Sequence, residues 1–437
     1  MCGIIRGMSI LKKILVSAFL LVGIGVVFHF VATRANPADA GGCGAKDGFC
    51  ALDFSMRMNE IDCVRSGVNP YDVWSGKVVH PLYYPYNRYE ETRTESRNQP
   101  INAYTPWEYS YMYPIALVRD RGVRWKVYYS LVVVALLFIG GYACCRGAFG
   151  GGGAFVGVFA AACVCLTAFA VRDDLSVGNF AVLITALALA MAMCLNRGWD
   201  AMAGVCWALI LTKPQLGILF GIPLLMARKY RTVVVAGAIC AIASIPPAIM
   251  CKTSPVSLVL QAPKASVHAF GCCALMPTGL KDLLMESAGM DVSAVMAVAA
   301  VAGVILCTLA SWRMRRQADW LARFAPCAIL AVSWTYQNCH SHCIAAVAIL
   351  AMALDISRAG NAKRMLLCWC AMLLFAKAGC PASLIAERAA TAFGAGNAEA
   401  LGSFIRQFAS LLSVLAVLTW SFSPDPAAME RHPASGV

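Results

Sequence analysis

The chain has 437 residues, is 60% hydrophobic and only 14% charged, and has a mean hydropathy of +0.67. Soluble domains run nearer half apolar and a quarter charged, so this composition excludes an ordinary soluble globule and predicts an all-α polytopic membrane protein. The formal charge of +13 does not indicate nucleic acid, because Lys and Arg fall in short clusters between apolar runs, as cytoplasmic loops of a membrane protein require.

At the N-terminus, Arg6, Lys12 and Lys13 precede an apolar stretch from Ile14 to Val31. Ala38, Asp39 and Ala40 imitate a signal-peptide cleavage site. The apolar core is longer than usual for such a peptide, so a retained first span within 1–33 is expected. A polar stretch at 34–122 comes next and is expected to be extracytoplasmic. It is far longer than a median loop, and loops of that kind commonly carry function. Its Asn69-Pro70-Tyr71-Asp72-Val73-Trp74 and Tyr104-Thr105-Pro106-Trp107-Glu108-Tyr109 runs suit hydrogen bonding and stacking on a polar ligand at a membrane interface.

A helical bundle is expected over 123–422, with a short cytoplasmic tail at 423–437. With about 20 residues needed to cross the hydrocarbon, further spans are predicted near 123–145, 149–171, 176–195, 232–250, 291–312, 318–338, 341–357, 363–379 and 401–422. Arg146, Arg197, the cluster at 228–231, Arg313 with Arg315 and Arg316, and Arg358 with Lys363 and Arg364 orient these spans by marking the cytoplasmic side.

The apolar run Ala201 to Ala227 holds one charge, Lys213, followed by Pro214 and Gln215. Both flanks of the run carry cytoplasmic markers, so the chain must enter and return. Two limbs of about 14 residues would each reach roughly 21 Å, short of the hydrocarbon core of about 30 Å. Short broken helices are tolerated where they line an enclosed cavity, and Pro214 favours a break by disfavouring helix at the residue before it. Counted this way, the bundle has about twelve full or partial spans. One long tilted helix is the competing reading. An ionised side chain at membrane depth is costly, which makes Lys213 a functional candidate, with snorkelling to the headgroups as the alternative.

The cysteine count of 21 implies no metal site. Most cysteines, such as Cys144, Cys163, Cys206 and Cys307, lie in apolar segments where the thiol acts as a small hydrophobe. Cys43, Cys50 and Cys63 lie in the polar segment, where a disulfide is open and its pairing undetermined. Asp53 and Asp62 closely follow the first span. A carboxylate there can act as general base toward a hydroxyl, or serve as a solvated acid or helix cap.

Taken in order, Asp53-Phe54, Gly67-Val68-Asn69-Pro70-Tyr71-Asp72, Tyr104-Thr105-Pro106 with Tyr113-Pro114, Gly178-Asn179 and Lys213-Pro214-Gln215 resemble the pattern of polyprenol-phosphate-mannose-dependent glycosyltransferases of family 87, within the GT-C membrane superfamily. The resemblance runs from the first span to about residue 231. It implies an enzyme of the bacterial plasma membrane that moves a hexose, mannose foremost, from a polyprenyl-phosphate donor to a glycolipid or glycan hydroxyl on the outer face, inverting the anomeric carbon. The family's catalytic aspartate falls on Asp53. Lys213 gains a partner of the right sign, since charge grows on the departing phosphate and a positioned ammonium stabilises it.

His340 and His342, in Ser333-Trp334-Thr335-Tyr336-Gln337-Asn338-Cys339-His340-Ser341-His342, resemble the histidine associated with donor phosphate, with the choice between them open. A metal reading of this His pair with Cys339 and Cys343 is weak, since no carboxylate is local. Gln215 joins the donor side. Trp107, Glu108, Tyr104, Tyr336 and Asp72 are expected around sugar and acceptor; an aromatic belt is the alternative for the first of these, and a turn-forming role for Asp72. No cofactor, metal or nucleic acid enters the scheme. A secondary transporter or lipid flippase, or a lipid-linked glycan ligase or polymerase, is the alternative class.

Overall fold

The computed structural model describes residues 52–85, 99–101, 104–149, 171, 174, 175, 177–272, 292–333, 339–356, 412 and 414–421. The predicted first span, most of the 149–171 span and the whole of the 363–379 span lie outside the described residues. So do Cys43, Cys50 and Tyr336; Cys63 is buried and free.

The described chain is almost wholly helical. The long polar segment is not an irregular loop. It holds α1 (Leu52–Arg65), α2 (Pro70–Trp74) and α3 (Pro106–Ala116), with one short parallel pair, β1 (Tyr83–Pro85) against β2 (Gln99–Ile101), in the register Tyr83 to Gln99. Local signals account for these helices. Asn69 caps α2 by accepting from the Tyr71 N–H at 3.1 Å, and Pro70 and Pro106 occupy first-turn positions whose N–H groups have no helical partner.

Beyond them come α4 (Arg121–Phe149), α5 (Ala181–Asn196), α6 (Asp200–Ile210), α7 (Pro214–Gly217) and α8 (Gly221–Met226), then α9 (Tyr230–Ala243), α10 (Ile245–Met250), α11 (Pro255–Cys272), α12 (Val292–Met314), α13 (Trp320–Ser333) and α14 (Ala346–Ile356). Among the described residues, two segments are long and apolar enough to cross a membrane, Gly122–Ala143 and Tyr230–Met250, and several shorter apolar helices accompany them. Neighbouring helices pack in sequence order, α5 on α6, α12 on α13 and α13 on α14, while α9 lies along α6. The α6 and α9 backbones approach closely at Gly204, where a Cβ would meet the Thr232 carbonyl at 2.8 Å.

The run with Lys213 is broken and folded back, not one long helix. Trp207 donates its indole N–H to the Gly217 carbonyl at 3.0 Å, and a Cβ on Gly221 would strike the same indole at 2.9 Å. In a straight helix, residues 207 and 221 would be about 21 Å apart. The break also leaves carbonyls without helical donors. Pro214 has no N–H for Ile210, whose carbonyl accepts from the Lys213 N–H at 3.1 Å instead.

The bundle has two distinct ends. At one, Arg146 of α4 pairs with Asp319, Asn196 of α5 donates to Asp319 at 2.9 Å, and Lys229 reaches Asp200 at 2.9 Å. Arg197, Arg228, Arg231, Arg315 and Arg316 belong to the helix termini gathered there. Lys213 and Asn179 lie at the opposite end, one length of α5 away, or about 24 Å for its 16 residues.

Candidate active site

The site grows from α1. Asp53, Arg57 and Glu60 recur at spacings of four and three, one face of a helix. That face is buried: Arg57 is 1% exposed and Glu60 0%. Buried charge must be paired, and each group is. The Arg57 guanidinium forms an ion pair with Glu108 of α3 and lies over the Tyr104 ring at 3.8 Å and the Phe180 ring at 4.6 Å. Glu60 accepts from the Tyr109 hydroxyl at 2.8 Å and the Tyr104 N–H at 3.2 Å. Tyr71 donates to the Tyr104 carbonyl. Burial, and then the Glu60 charge, push the Tyr109 hydroxyl well above the usual tyrosine range, so it stays a neutral donor.

The packing of Phe54, the next residue in α1, holds Asp53 in place. Phe54 lies against Trp125 and Tyr128 of α4, with ring centroids 4.6 Å and 5.2 Å away. It also fills the space that a side chain at 178 would need, since a Cβ there would lie 2.6 Å from the Phe54 Cβ. Gly178 has φ +72°, a conformation that favours glycine. The turn it permits presents Asn179, whose side-chain N–H donates to the Asp53 carboxylate and whose side-chain oxygen accepts from the Lys213 ammonium. Asp174 sets the turn from behind, accepting the Ala181 N–H at 2.9 Å and the Val182 N–H at 3.3 Å at the start of α5. It thereby satisfies donors that Phe180, with no side-chain acceptor, leaves open.

Lys213 is 5% exposed and extended at φ −113°, ψ 83°, as a residue before proline prefers. α3 lies across this end of the bundle and satisfies the carbonyls exposed there. Trp107 donates its indole N–H to Leu211 at 3.1 Å, Thr105 donates to Thr212 at 3.4 Å, and Ser110 donates to Ala243 at 2.5 Å. The last carbonyl needs an outside donor because Pro247, four residues on, has no N–H. The polar segment is thus fastened to the break that carries Lys213.

Of the residues singled out from sequence, Asp53, Lys213, Trp107, Glu108 and Tyr104 come together here. Glu108 and Trp107 are engaged with Arg57 and Leu211 respectively, at the wall of the site. Gln215, half-buried, is the second residue of α7, two positions after Lys213. Asp72 stands apart: it accepts from Asn69 at 3.0 Å and pairs with Lys77 at 3.6 Å, while Asn69 also donates to Gln261 of α11 at 2.9 Å. His340 and His342 belong to the 3-10 helix Cys339–Ala345, which packs on α5. His342 is half-buried, and Cys343 beside it lies within electrostatic reach of Lys213. Arg57, Glu60, Asp174 and Asn179 were not singled out for the site from sequence. The spacing of Arg57 and Glu60 from Asp53 was the available signal for the first two.

A carboxylate and an ammonium converging on one buried amide can accept a proton on one side and stabilise an anion on the other. Residues 102–335 match the model of a family described as Glycosyltransferase family 87. The match begins after Asp53 and extends well past residue 231, where the resemblance in the motifs weakens. No curated protein and no solved structure matches the chain.

Proposed function

Because the chain belongs to glycosyltransferase family 87, we propose that it transfers a hexose, mannose foremost, from a polyprenyl-phosphate donor to the hydroxyl of a glycolipid or glycan acceptor, with inversion, at the outer face of a bacterial plasma membrane. The observation that carries this reading is the convergence of Asp53 and Lys213 on Asn179, from positions far apart in sequence.

In this scheme Asp53 removes the acceptor proton as the oxygen attacks the anomeric carbon from the face opposite the phosphate. The glycosidic bond to phosphate breaks, and Lys213, with a histidine of the His340 and His342 pair and Gln215, holds the departing anion. Trp107, Glu108, Tyr104 and Tyr336 belong to the sugar and acceptor side, Glu108 through its hold on Arg57, while Asp72, engaged with Asn69 and Lys77, has a turn-forming role. The division of the bundle supports the sidedness. Basic clusters gather at one end, as on a cytoplasmic face, and the candidate site lies at the other. Membrane lipids surround the bundle in this reading, and about twelve full or partial spans are counted.

Purified protein incubated with polyprenyl-phosphate-mannose and a panel of envelope glycolipids tests the proposal. Transfer is expected in the wild type and lost in Asp53→Asn, while Lys213→Ala weakens donor use and slows turnover. Undiminished transfer by Asp53→Asn, or wild-type donor kinetics in Lys213→Ala, would remove the respective role.

A further inference from the structure

Asn179 has no role in the transfer scheme, yet its side chain touches both charged groups that the scheme uses. We propose that Asn179 is a positioning residue that holds the proton-accepting carboxylate of Asp53 and the phosphate-facing ammonium of Lys213 in register through the two ends of one amide. The inference rests on the glycosyltransferase reading and assigns a residue to it.

Four observations carry it. First, both ends of the amide are engaged: nitrogen donates to Asp53 and oxygen accepts from Lys213, and with a carboxylate on one side and an ammonium on the other only this orientation satisfies both. Second, Asn179 is 2% exposed, so water does not readily replace it. Third, its backbone is pinned on both sides. The N–H donates to the Asp174 carbonyl at 3.1 Å, and the carbonyl accepts from the Tyr128 hydroxyl at 2.5 Å. Fourth, the preceding Gly178 sits against Phe54, the neighbour of Asp53, so the turn and the base share one packing contact.

The chemistry explains why an amide suits the position. A neutral group can donate to an anion and accept from a cation at once, and each hydrogen bond polarises the amide in the sense that strengthens the other. A carboxylate in the same place repels Asp53, and an apolar side chain leaves the buried Lys213 ammonium and the half-buried Asp53 carboxylate without that partner. Because transfer requires acceptor oxygen, anomeric carbon and phosphate in line, fixing base and cation on one short side chain fixes the geometry of both half-sites together.

The test compares Asn179→Leu, which keeps the branched shape without the polar atoms, Asn179→Ala, and Asn179→Gln, which keeps the amide. Transfer from polyprenyl-phosphate-mannose is measured in the full-length protein beside thermal unfolding. We expect kcat to fall about 100-fold in the Leu and Ala variants, the scale of a misplaced catalytic group, and Asn179→Gln to recover about tenfold of that loss at a melting temperature matching that of Asn179→Leu. In a Lys213→Ala background the Leu substitution should cost less than it does in the wild type, because the two act as one unit.

Wild-type kcat in Asn179→Leu overturns the inference. So does equal impairment of the Leu and Gln variants in step with their melting temperatures, or failure of all three variants to fold, each of which assigns Asn179 to the scaffold. If Asp53→Asn transfers undiminished and Lys213→Ala keeps wild-type donor kinetics, the underlying functional reading fails. If both are impaired and Asn179→Leu is not, only the positioning role of Asn179 fails.

Discussion

Replacing Gly178 with alanine probes the link between packing and the placement of Asp53. The added Cβ would lie 2.6 Å from the Phe54 Cβ and 3.0 Å from the Trp125 ring, where ordinary contacts are 3.4 Å or more. Phe54 would have to retreat by about 1 Å, carrying the start of α1 and Asp53 with it. The left-handed backbone costs an alanine about 1–2 kcal/mol, and crowding a packed contact about 1–3 kcal/mol more. Gly198, at φ +74° with nothing within 4 Å of its notional Cβ, supplies a control carrying the backbone cost alone. Thermal unfolding and transfer kinetics of Gly178→Ala and Gly198→Ala separate the two. Gly198→Ala should lose a little stability and no activity. Gly178→Ala should lose more stability and on the order of 100-fold in kcat, the effect of a displacement near 1 Å. Equal stability and equal activity in the two variants would refute the idea that Phe54 transmits the position of residue 178 to Asp53.

Two further outcomes are expected. Arg57→Ala or Glu108→Ala alone leaves a buried charge without its partner and should cost about 3–5 kcal/mol, whereas Arg57→Met combined with Glu108→Leu should cost much less than the sum, as measured by a thermal-unfolding cycle. Tyr71 and Tyr109, in helices of the polar segment, have hydroxyls pushed well above the usual range, by burial first. Their raised folded values contribute stability that is intact below the unfolded value of about 10 and is lost as pH rises beyond it. Melting temperature should therefore fall above about pH 10, and the fall should be shallower in the Tyr71→Phe, Tyr109→Phe double variant.

Amino-acid order alone carried the helical character, the basic clusters that gather at one end of the bundle, and the break at Lys213. These are local or compositional. A charge in an apolar run is expensive wherever the run folds, and proline disfavours helix at the residue before it. Lys213 was visible as a candidate because a lone charge in an apolar run stands out by position; Asp53 shared its position with Asp62 and was singled out by the resemblance in the motifs. The Gly178-Asn179 pair was visible as a motif, but without a task.

Tertiary structure decided the partnerships. Asn179 meets Asp53 across 126 positions and Lys213 across 34, separations at which no periodicity links residues. Glu108, read from sequence as a ligand-facing acid, is paired with Arg57, and Trp107 closes an orphaned carbonyl of the broken helix. Such pairings depend on how helices cross and which backbone groups their ends leave unsatisfied, and those quantities exist only once the chain has folded.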